Sequence, residues 1–173
     1  PTLMTAKQAP RHFLDIADLD AKTLRKIIDN AHAMKRAGKR VPQELRPKGI
    51  EDAVLVRIFE KPSTRTRVSF ELAAKRLGAD VVNLEVQLSS RVKGESMLDT
   101  VFTLQALHVD VLVIRDAEAG VHQLVAAHVE PHVSVLSAGE AHLSHPTQGL
   151  LDALTVRQHK GRFDNVSIAI VGD

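Results

Sequence analysis

Two arginines and three hydroxyl side chains lie together in the run Ser63, Thr64, Arg65, Thr66 and Arg67, between an apolar segment and a helix-like segment. The first turn of a helix has unpaired N–H groups and a partial positive charge, which favour an anion. Arginines at that end are unfavourable unless an anion neutralises them, and guanidinium and hydroxyl groups are good anion donors. The run therefore indicates a phosphate or carboxylate site. A Ser/Thr helix cap with two solvated arginines is the structural alternative.

Polar side chains that suit an anion also follow three other apolar runs: Ser89, Ser90 and Lys93 in LSSRVKGES, Arg115 at the end of DVLVIR, and His145 and Gln148 in HPTQ. Pro146 suits the first turn of a helix, so His145 is expected near a helix N-terminus, where the dipole keeps its ring neutral. Taken singly, these segments also fit a mobile polar loop and an ordinary capping histidine.

The elements that must position these residues alternate along the chain. Apolar, β-branched runs at 53–59, 80–84, 110–115, 132–136 and 166–173 are separated by helix-like segments at about 65–77, 95–107, 118–128 and 146–160, and a further helix is predicted at 20–38. This pattern predicts an α/β fold, a parallel sheet with helices on both faces. Ligands in such sheets bind outside the carboxyl ends of the strands, which selects the loops at 60–66, 85–95, 115–118 and 137–147.

The composition limits the kinds of partner. A formal charge of +2 and five Phe with no Tyr or Trp argue against a nucleic-acid surface, and the lack of Cys excludes thiolate chemistry. The His residues do not have the spacing of a recognised metal-ligand motif. Neither of the two glycine-rich nucleotide-binding motifs, G-x-x-x-x-G-K-[ST] and G-x-G-x-x-G, occurs. No apolar stretch is long enough to span a membrane. We therefore expect a cytoplasmic protein without metal, cofactor, nucleic-acid or membrane partners.

Three signatures occur in order: F-x-x-x-S-T-R-T-R at 59–67, S-x-x-K-G-E at 90–95 and H-P-T-Q-G-L-L-D at 145–152. Together with GADVVNL, DVLVIR and the final IVGD they cover nearly the whole chain, which resembles the transcarbamoylases, specifically their carbamoyl-phosphate-binding half. The resemblance implies that residues 1–160 form the carbamoyl-phosphate-binding domain, with a connecting helix at about 146–160. Residues 161–173 would then provide the first strand of an otherwise missing amino-acid-binding domain.

The same motifs bear on the identity of the acceptor amino acid. The K-G-E loop and H-P-T-Q favour the aspartate enzymes of pyrimidine biosynthesis. Lys61 stands where those enzymes usually have Glu, and Gly139-Glu140-Ala141 replaces their usual Gly-Asp-Gly. An ornithine carbamoyltransferase is therefore the alternative. A phosphoanion-binding or assembly module without catalysis is a hypothesis of a different class.

The resemblance also implies residue roles for a reaction in which an amine attacks the carbonyl carbon of carbamoyl phosphate and phosphate leaves. It assigns the phosphate to Ser63, Thr64, Arg65 and Thr66, the carbonyl oxygen to Thr66, Arg115 and His145, and the carbamoyl nitrogen to Gln148. Preorganised donors can stabilise the charge on the carbonyl oxygen and on the leaving phosphate, so no covalent nucleophile is needed.

Family members are trimers, and the resemblance implies that Lys93, with Ser89 or Ser90, enters the site of a neighbouring subunit. Regulatory or other pathway subunits are further potential partners. Because the acceptor site would lie mostly in the second domain, we expect the isolated 173-residue chain to be inactive.

Overall fold

A computed structural model describes residues 11–59, 63–84 and 96–171. Its centre is a four-stranded, all-parallel sheet formed by β1 (Val54–Phe59), β2 (Asp80–Leu84), β3 (Val111–Asp116) and β4 (Ser134–Glu140). The helices are α1 (Ala21–Ala37), α2 (Thr64–Leu77), α3 (Met97–Ala106), α4 (Val121–His128) and α5 (Pro146–Lys160). Short 3-10 helices span Ile16–Asp18, Gln43–Leu45 and Ile50–Asp52. The predicted α/β fold is confirmed.

Successive side chains of a strand alternate between the two faces of the sheet, and both faces are buried at β1, β3 and β4, whereas the edge strand β2 has no buried residue. One face packs with α3 and α4 in a cluster that includes Val56, Ile58, Val101, Leu112, Ile114 and Val125. The other packs with α2 in a smaller cluster that includes Leu55, Phe59, Ala74, Val113 and Ala138. This two-sided burial explains why β1, β3 and the first part of β4 are largely apolar in the sequence.

Arg57 is an exception within those apolar runs, because it is a charged side chain that is only 2% exposed. Its guanidinium donates to the Asn83 side chain on β2 and, on α2, to the Arg67 carbonyl and the Glu71 carboxylate. Burial lowers the pKa of Arg57, and the Glu71 carboxylate opposes that shift. The residue thus joins β1, β2 and α2 through one buried cation.

The strand order β2-β1-β3-β4 creates a crevice. The chain leaves β1 towards β2 on one side and builds β3 and β4 on the other, so the connections diverge at the carboxyl ends of β1 and β3. Phe59 and Arg115 are register partners at those ends. The crevice therefore lies at the edge of the sheet where the sequence predicts the polar loops.

The fourth strand is longer than predicted. We expected it to end at residue 136 and a loop to occupy 137–147, but β4 continues to Glu140. The added segment looks like a loop in sequence because it contains Ser137 and Glu140, yet both are buried. Glu140 accepts a hydrogen bond from the Gly120 N–H at 2.7 Å, which compensates part of its burial. The helix predicted at 118–128 begins later, at Val121, because Gly120 adopts a left-handed conformation as its N-cap.

The apolar segment predicted as a fifth strand forms no strand over its described residues, 166–171. Residues 167–171 are exposed, including Ile168 and Ile170. A strand requires a hydrogen-bonded neighbour, and the described sheet ends at β2 and β4 without pairing to this segment. Its assignment to a second domain stays a prediction. Within the described ranges, no helix combines the length and apolarity needed to cross a bilayer.

Candidate active site

A cavity of about 730 Å³ lies at the carboxyl ends of β1 and β3. Its wall contains the sequence-predicted residues Ser63, Arg65, Thr66, Arg115, His145 and Gln148. These residues come from three separate segments: the start of α2 after β1, the end of β3, and the start of α5 after β4. The structure therefore brings together side chains that are far apart in the chain.

The start of α2 forms one side of the cavity. Ser63 is the N-cap residue in an extended conformation, and its side chain makes no capping hydrogen bond to the helix. Its hydroxyl instead donates to Thr66 Oγ1 at 3.0 Å. Thr64, the first helical residue, is exposed and does not line the cavity. The first-turn N–H groups of α2 thus have no acceptor from the cap side chain, which suits an anionic ligand.

Arg115, at the end of β3, connects the start of α2 to the start of α5. Its Nη1 donates to Thr66 Oγ1 at 3.2 Å and to the Ala138 carbonyl at 3.1 Å, and it lies 3.3 Å from His145 Nε2. Thr66 therefore accepts from both Ser63 and Arg115. Since a hydroxyl has two acceptor positions and one proton, the Thr66 proton remains available to another acceptor.

His145 is the N-cap residue of α5, as the sequence predicts, and Pro146 occupies the first turn. Burial lowers the pKa of the His145 imidazole, and the Arg115 guanidinium lowers it further, while Asp152 acts in the opposite direction. The ring is therefore neutral near pH 7. Because Arg115 Nη1 has no acceptor position, an N–H on Nε2 would face it unfavourably, so the ring proton belongs on Nδ1, which lies 3.4 Å from Thr147 Oγ1.

Gln148 lies in the first turn of α5, and its amide nitrogen donates to Asp152 Oδ1 at 3.0 Å. This bond orients the amide group and uses one of its two N–H donors, and the amide oxygen is available to accept from a ligand. The α5 N-cap, like that of α2, makes no side-chain capping hydrogen bond. Asp20 and Ser96, by contrast, cap α1 and α3 through their side chains.

The cavity also has residues that the sequence analysis missed: Ser69, Phe70, Ala73, Thr147 and Leu151. Spacing from Thr66 provides a signal for two of them, because Phe70 and Ala73 follow at i+4 and i+7 and so share its helix face. They add an apolar wall to the polar end of the cavity. The predicted Ser89, Ser90 and Lys93, and the divergent Lys61, lie outside the described residues.

The arrangement is suited to a small anion that also has a polar carbonyl-like group. The start of α2 offers the Arg65 guanidinium, hydroxyls and backbone N–H groups, which suit a phosphate. Arg115 and the Thr66 hydroxyl add donors at the centre of the cavity. Gln148 contributes an acceptor on the opposite side.

Comparison with known proteins identifies the same family as the sequence motifs. The family described as aspartate/ornithine carbamoyltransferase, carbamoyl-P binding domain, matches residues 11–158. Aspartate transcarbamoylase from Trypanosoma cruzi, solved with carbamoyl aspartate and phosphate, is 32% identical with a TM-score of 0.82, covering 94% of this chain and 48% of that one. The catalytic subunit of the M. jannaschii enzyme is 34% identical with a TM-score of 0.75, covering 88% and 48%.

A further T. cruzi structure, in complex with carbamoyl phosphate and aspartate, is 31% identical with a TM-score of 0.75, covering 87% of this chain and 45% of that one. The chain thus spans about half the length of these solved structures. The match over residues 11–158 includes all four strands and the described cavity residues. The chain therefore belongs to the aspartate/ornithine carbamoyltransferase family, of which it carries the carbamoyl-phosphate-binding domain.

Proposed function

We propose that this chain binds carbamoyl phosphate in the cavity between β1 and β3 and, as part of a complete enzyme, transfers the carbamoyl group to the amine of L-aspartate. The observation that carries the proposal is the convergence of the α2 start, Arg115 and the α5 start on one cavity. T. cruzi aspartate transcarbamoylase, which has the same fold, was solved with carbamoyl phosphate and aspartate. Its likeness to this chain supports both substrates.

The phosphate of the substrate binds at the start of α2. Ser63, Arg65 and Thr66 line the cavity there, and Thr64 occupies the first helical position. Backbone N–H groups and the helix dipole add to the guanidinium charge, so the site stabilises the dianion through several donors. The same donors stabilise the leaving phosphate, because its charge increases as the carbon–oxygen bond breaks.

The carbonyl oxygen lies between Thr66, Arg115 and His145. Thr66 has a proton to donate, because its two acceptor positions are occupied. His145 accepts from Arg115 in the described arrangement. Its donation to the substrate therefore requires the ring proton to move from Nδ1 to Nε2, with Arg115 turning towards the carbonyl oxygen. The ring stays neutral in both tautomers.

Gln148 orients the carbamoyl group, because its amide oxygen accepts from the carbamoyl nitrogen while its own nitrogen is held by Asp152. The acceptor amine then attacks the carbonyl carbon. A carbon–nitrogen bond forms, the carbon–oxygen bond to phosphate breaks, and the departing phosphate takes the amine proton. No side chain is required as the general base.

The remaining parts of the enzyme are also proposals. Residues 1–160 form the carbamoyl-phosphate-binding domain, and residues 161–173 begin the amino-acid-binding domain. A homotrimer brings Lys93, with Ser89 or Ser90, into the neighbouring site, where the ammonium adds a charge at the phosphate. The enzyme acts in the cytoplasm in pyrimidine biosynthesis, where regulatory or other pathway subunits are potential partners.

Phosphate and carbamoyl phosphate binding by the Arg65→Ala variant tests the proposal. Calorimetric titration should show a loss of about ten- to a hundredfold in affinity for both ligands, the effect of removing hydrogen bonds to a charged group. Arg76→Ala is the matched control, since Arg76 is exposed in the last turn of the same helix. Equal affinities in Arg65→Ala and the unsubstituted chain would contradict the phosphate assignment.

The acceptor is tested with the complete enzyme, by adding either aspartate or ornithine to carbamoyl phosphate. Formation of carbamoyl aspartate supports the proposal. Formation of citrulline identifies an ornithine enzyme instead, and anion binding without either product identifies a phosphoanion-binding or assembly module.

A further inference from the structure

His122 is a fully buried histidine on α4 whose two ring nitrogens both face hydrogen-bond acceptors. Nε2 lies 2.8 Å from the Ile114 carbonyl oxygen, and Nδ1 lies 3.3 Å from Glu140 Oε1. The side chains of His122 and Glu140 are 0% and 2% exposed. A carbonyl oxygen can only accept, so Nε2 carries a proton and donates it to Ile114.

The hydrogen bond to Ile114 fixes the proton of a neutral ring on Nε2, so that Nδ1 would have none. In a neutral ring protonated at Nε2, the Nδ1 lone pair would face a carboxylate oxygen in a site without water contact, and two acceptors repel each other there. Nδ1 has no aligned hydrogen-bond partner within the described ranges, so Glu140 is the charged group that it faces. One additional proton, on either Nδ1 or Oε1, removes the conflict.

A second buried carboxylate, that of Asp116, also favours the additional proton. Asp116 on β3 is the register partner of Glu140 and is 3% exposed. Asp116 Oδ1 accepts the Glu118 N–H at 2.8 Å, but its Oδ2 has no hydrogen-bond partner among the described residues. An ionised Glu140 beside a neutral ring would therefore place a second carboxylate in the same buried region, compensated only in part by the Gly120 N–H, which is unfavourable.

We propose that His122 and Glu140 share one proton between Nδ1 and Oε1, and that this neutral buried pair is a positioning element for Arg115 and His145. The pair connects the two segments that carry these residues. Ile114 directly precedes Arg115, and the Glu140 N–H donates to the Ser144 carbonyl at 2.9 Å, closing the turn that leads into His145.

The positioning part rests on the proposed function, because Arg115 and His145 are the groups proposed to contact the substrate carbonyl. His122 does not line the cavity, so it acts through other residues. Its loss would leave the Ile114 carbonyl and the Glu140 carboxylate without their shared partner. The ends of β3 and β4 would then separate, and with them the two carbonyl-binding side chains.

The proton is detected by NMR on the 173-residue chain labelled with ¹⁵N-histidine and ¹³C-glutamate. We expect either both His122 ring nitrogens protonated or the Glu140 side-chain carboxyl in its neutral form. In Glu140→Gln, no carboxylate can share the second proton, so His122 should become a neutral ring with one proton. A neutral His122 ring together with an ionised Glu140 in the unsubstituted chain would overturn the shared proton.

The surface offers a matched control of the same chemical type. His132 Nδ1 lies 3.4 Å from Glu130 Oε2, but these side chains are 43% and 62% exposed. Glu130→Gln therefore removes an equivalent carboxylate in water. It should leave the NMR signals of His122 and the ligand affinities unchanged.

The positioning role is measured as a difference between two ligands. In His122→Phe and Glu140→Gln, carbamoyl phosphate affinity should fall about tenfold while phosphate affinity changes by less than about twofold, because phosphate binds at the start of α2. Glu140→Gln, the isosteric variant, provides the result if His122→Phe does not fold. Equal losses for both ligands, or no loss, would overturn the positioning role. Absence of any binding by the unsubstituted chain would contradict the proposed function, while the NMR experiment would still decide the proton.

Discussion

Arg115 Nη1 and His145 Nε2 lie 3.3 Å apart, so a permanent cation faces the lone pair of an imidazole at the centre of the cavity. Because arginine keeps its protons in proteins, the histidine must accept. The pair therefore carries one positive charge, and its two members are already adjacent before a ligand arrives. This preorganisation is what a site needs to stabilise a developing negative charge on oxygen.

His145 should titrate below its ordinary pKa of 6.5, because burial and then Arg115 disfavour the imidazolium. Below about pH 6.5 the unfolded chain takes up this proton before the folded chain does. The residue should therefore reduce the free energy of unfolding as the pH falls through that range, with no effect above it. NMR titration of the His145 ring measures the pKa directly.

Arg115→Gln should raise the pKa of His145, but not to its ordinary value, because burial is the larger cause. Arg157→Gln is the matched control, since it removes an arginine charge from the same helix as His145 but at a residue that contacts Asp29 on α1 and does not line the cavity. A His145 pKa that does not respond to Arg115→Gln would show that the contact is not maintained in solution.

Gly139→Ala should weaken carbamoyl phosphate binding, because the residue lies against Arg115 and His145, the two side chains proposed to contact the carbonyl oxygen. A Cβ there would be 3.2 Å from Arg115 Nη1 and 3.4 Å from His145 Cδ2, and the φ of +118° is one that L-residues rarely adopt. We expect affinity to fall about tenfold and stability by about 1–2 kcal/mol. Calorimetric titration and urea denaturation measure the two effects.

Gly161→Ala separates the backbone effect from the contact effect. Gly161 also has a positive φ, +74°, but a Cβ at this position would have no atom within 4 Å outside its immediate neighbours. The variant should lose stability and keep its affinity. Equal affinities for Gly139→Ala and Gly161→Ala would mean that Arg115 and His145 move aside without consequence.

Arg57→Met should destabilise the fold, because it leaves the Asn83 side chain and the Arg67 carbonyl without their shared donor. We expect a loss of about 3 kcal/mol in the free energy of unfolding, of the order found for buried hydrogen bonds to charged groups. Arg76→Met, at an exposed position of α2, should change it by less than about 0.5 kcal/mol. Similar urea midpoints for the two variants would contradict a structural role for the buried guanidinium.

The 173-residue chain alone should form no carbamoyl aspartate above the uncatalysed rate, because most acceptor-binding groups are proposed to lie in a second domain. A colorimetric assay with carbamoyl phosphate and aspartate checks this expectation, with Arg65→Ala as the control for the site. Robust product formation that Arg65→Ala abolishes would show that one domain is sufficient for catalysis.

The described strands and α-helices could be predicted to within a few residues because local signals mark them. Asp20 caps α1 through its side chain and Gly38 ends it, as their residue types indicate. The end of β4 could not be predicted, because Glu140 is a charged residue whose burial depends on Gly120 and His122. Those partners come from another element, and local sequence does not show them.

Some cavity residues could likewise be predicted from local sequence, whereas others depend on contacts between elements. The convergence of Thr66 and Arg115 could be expected, because both follow strands of a parallel sheet and ligands bind at that edge. Phe70 shares a helix face with Thr66 and could have been added from spacing alone. Leu151 could not, because its place in the wall depends on how α5 packs against the sheet.

The separation of the cavity residues along the chain has a consequence for folding. Thr66 and Arg115 are 49 residues apart, and Arg115 and His145 are 30 apart, so the site exists only after β1, β3 and β4 have assembled. A ligand bound there should protect the whole sheet against unfolding, by about 2.7 kcal/mol at roughly a hundredfold excess over its Kd. Carbamoyl phosphate, the proposed substrate, would thus also stabilise the folded state of the domain.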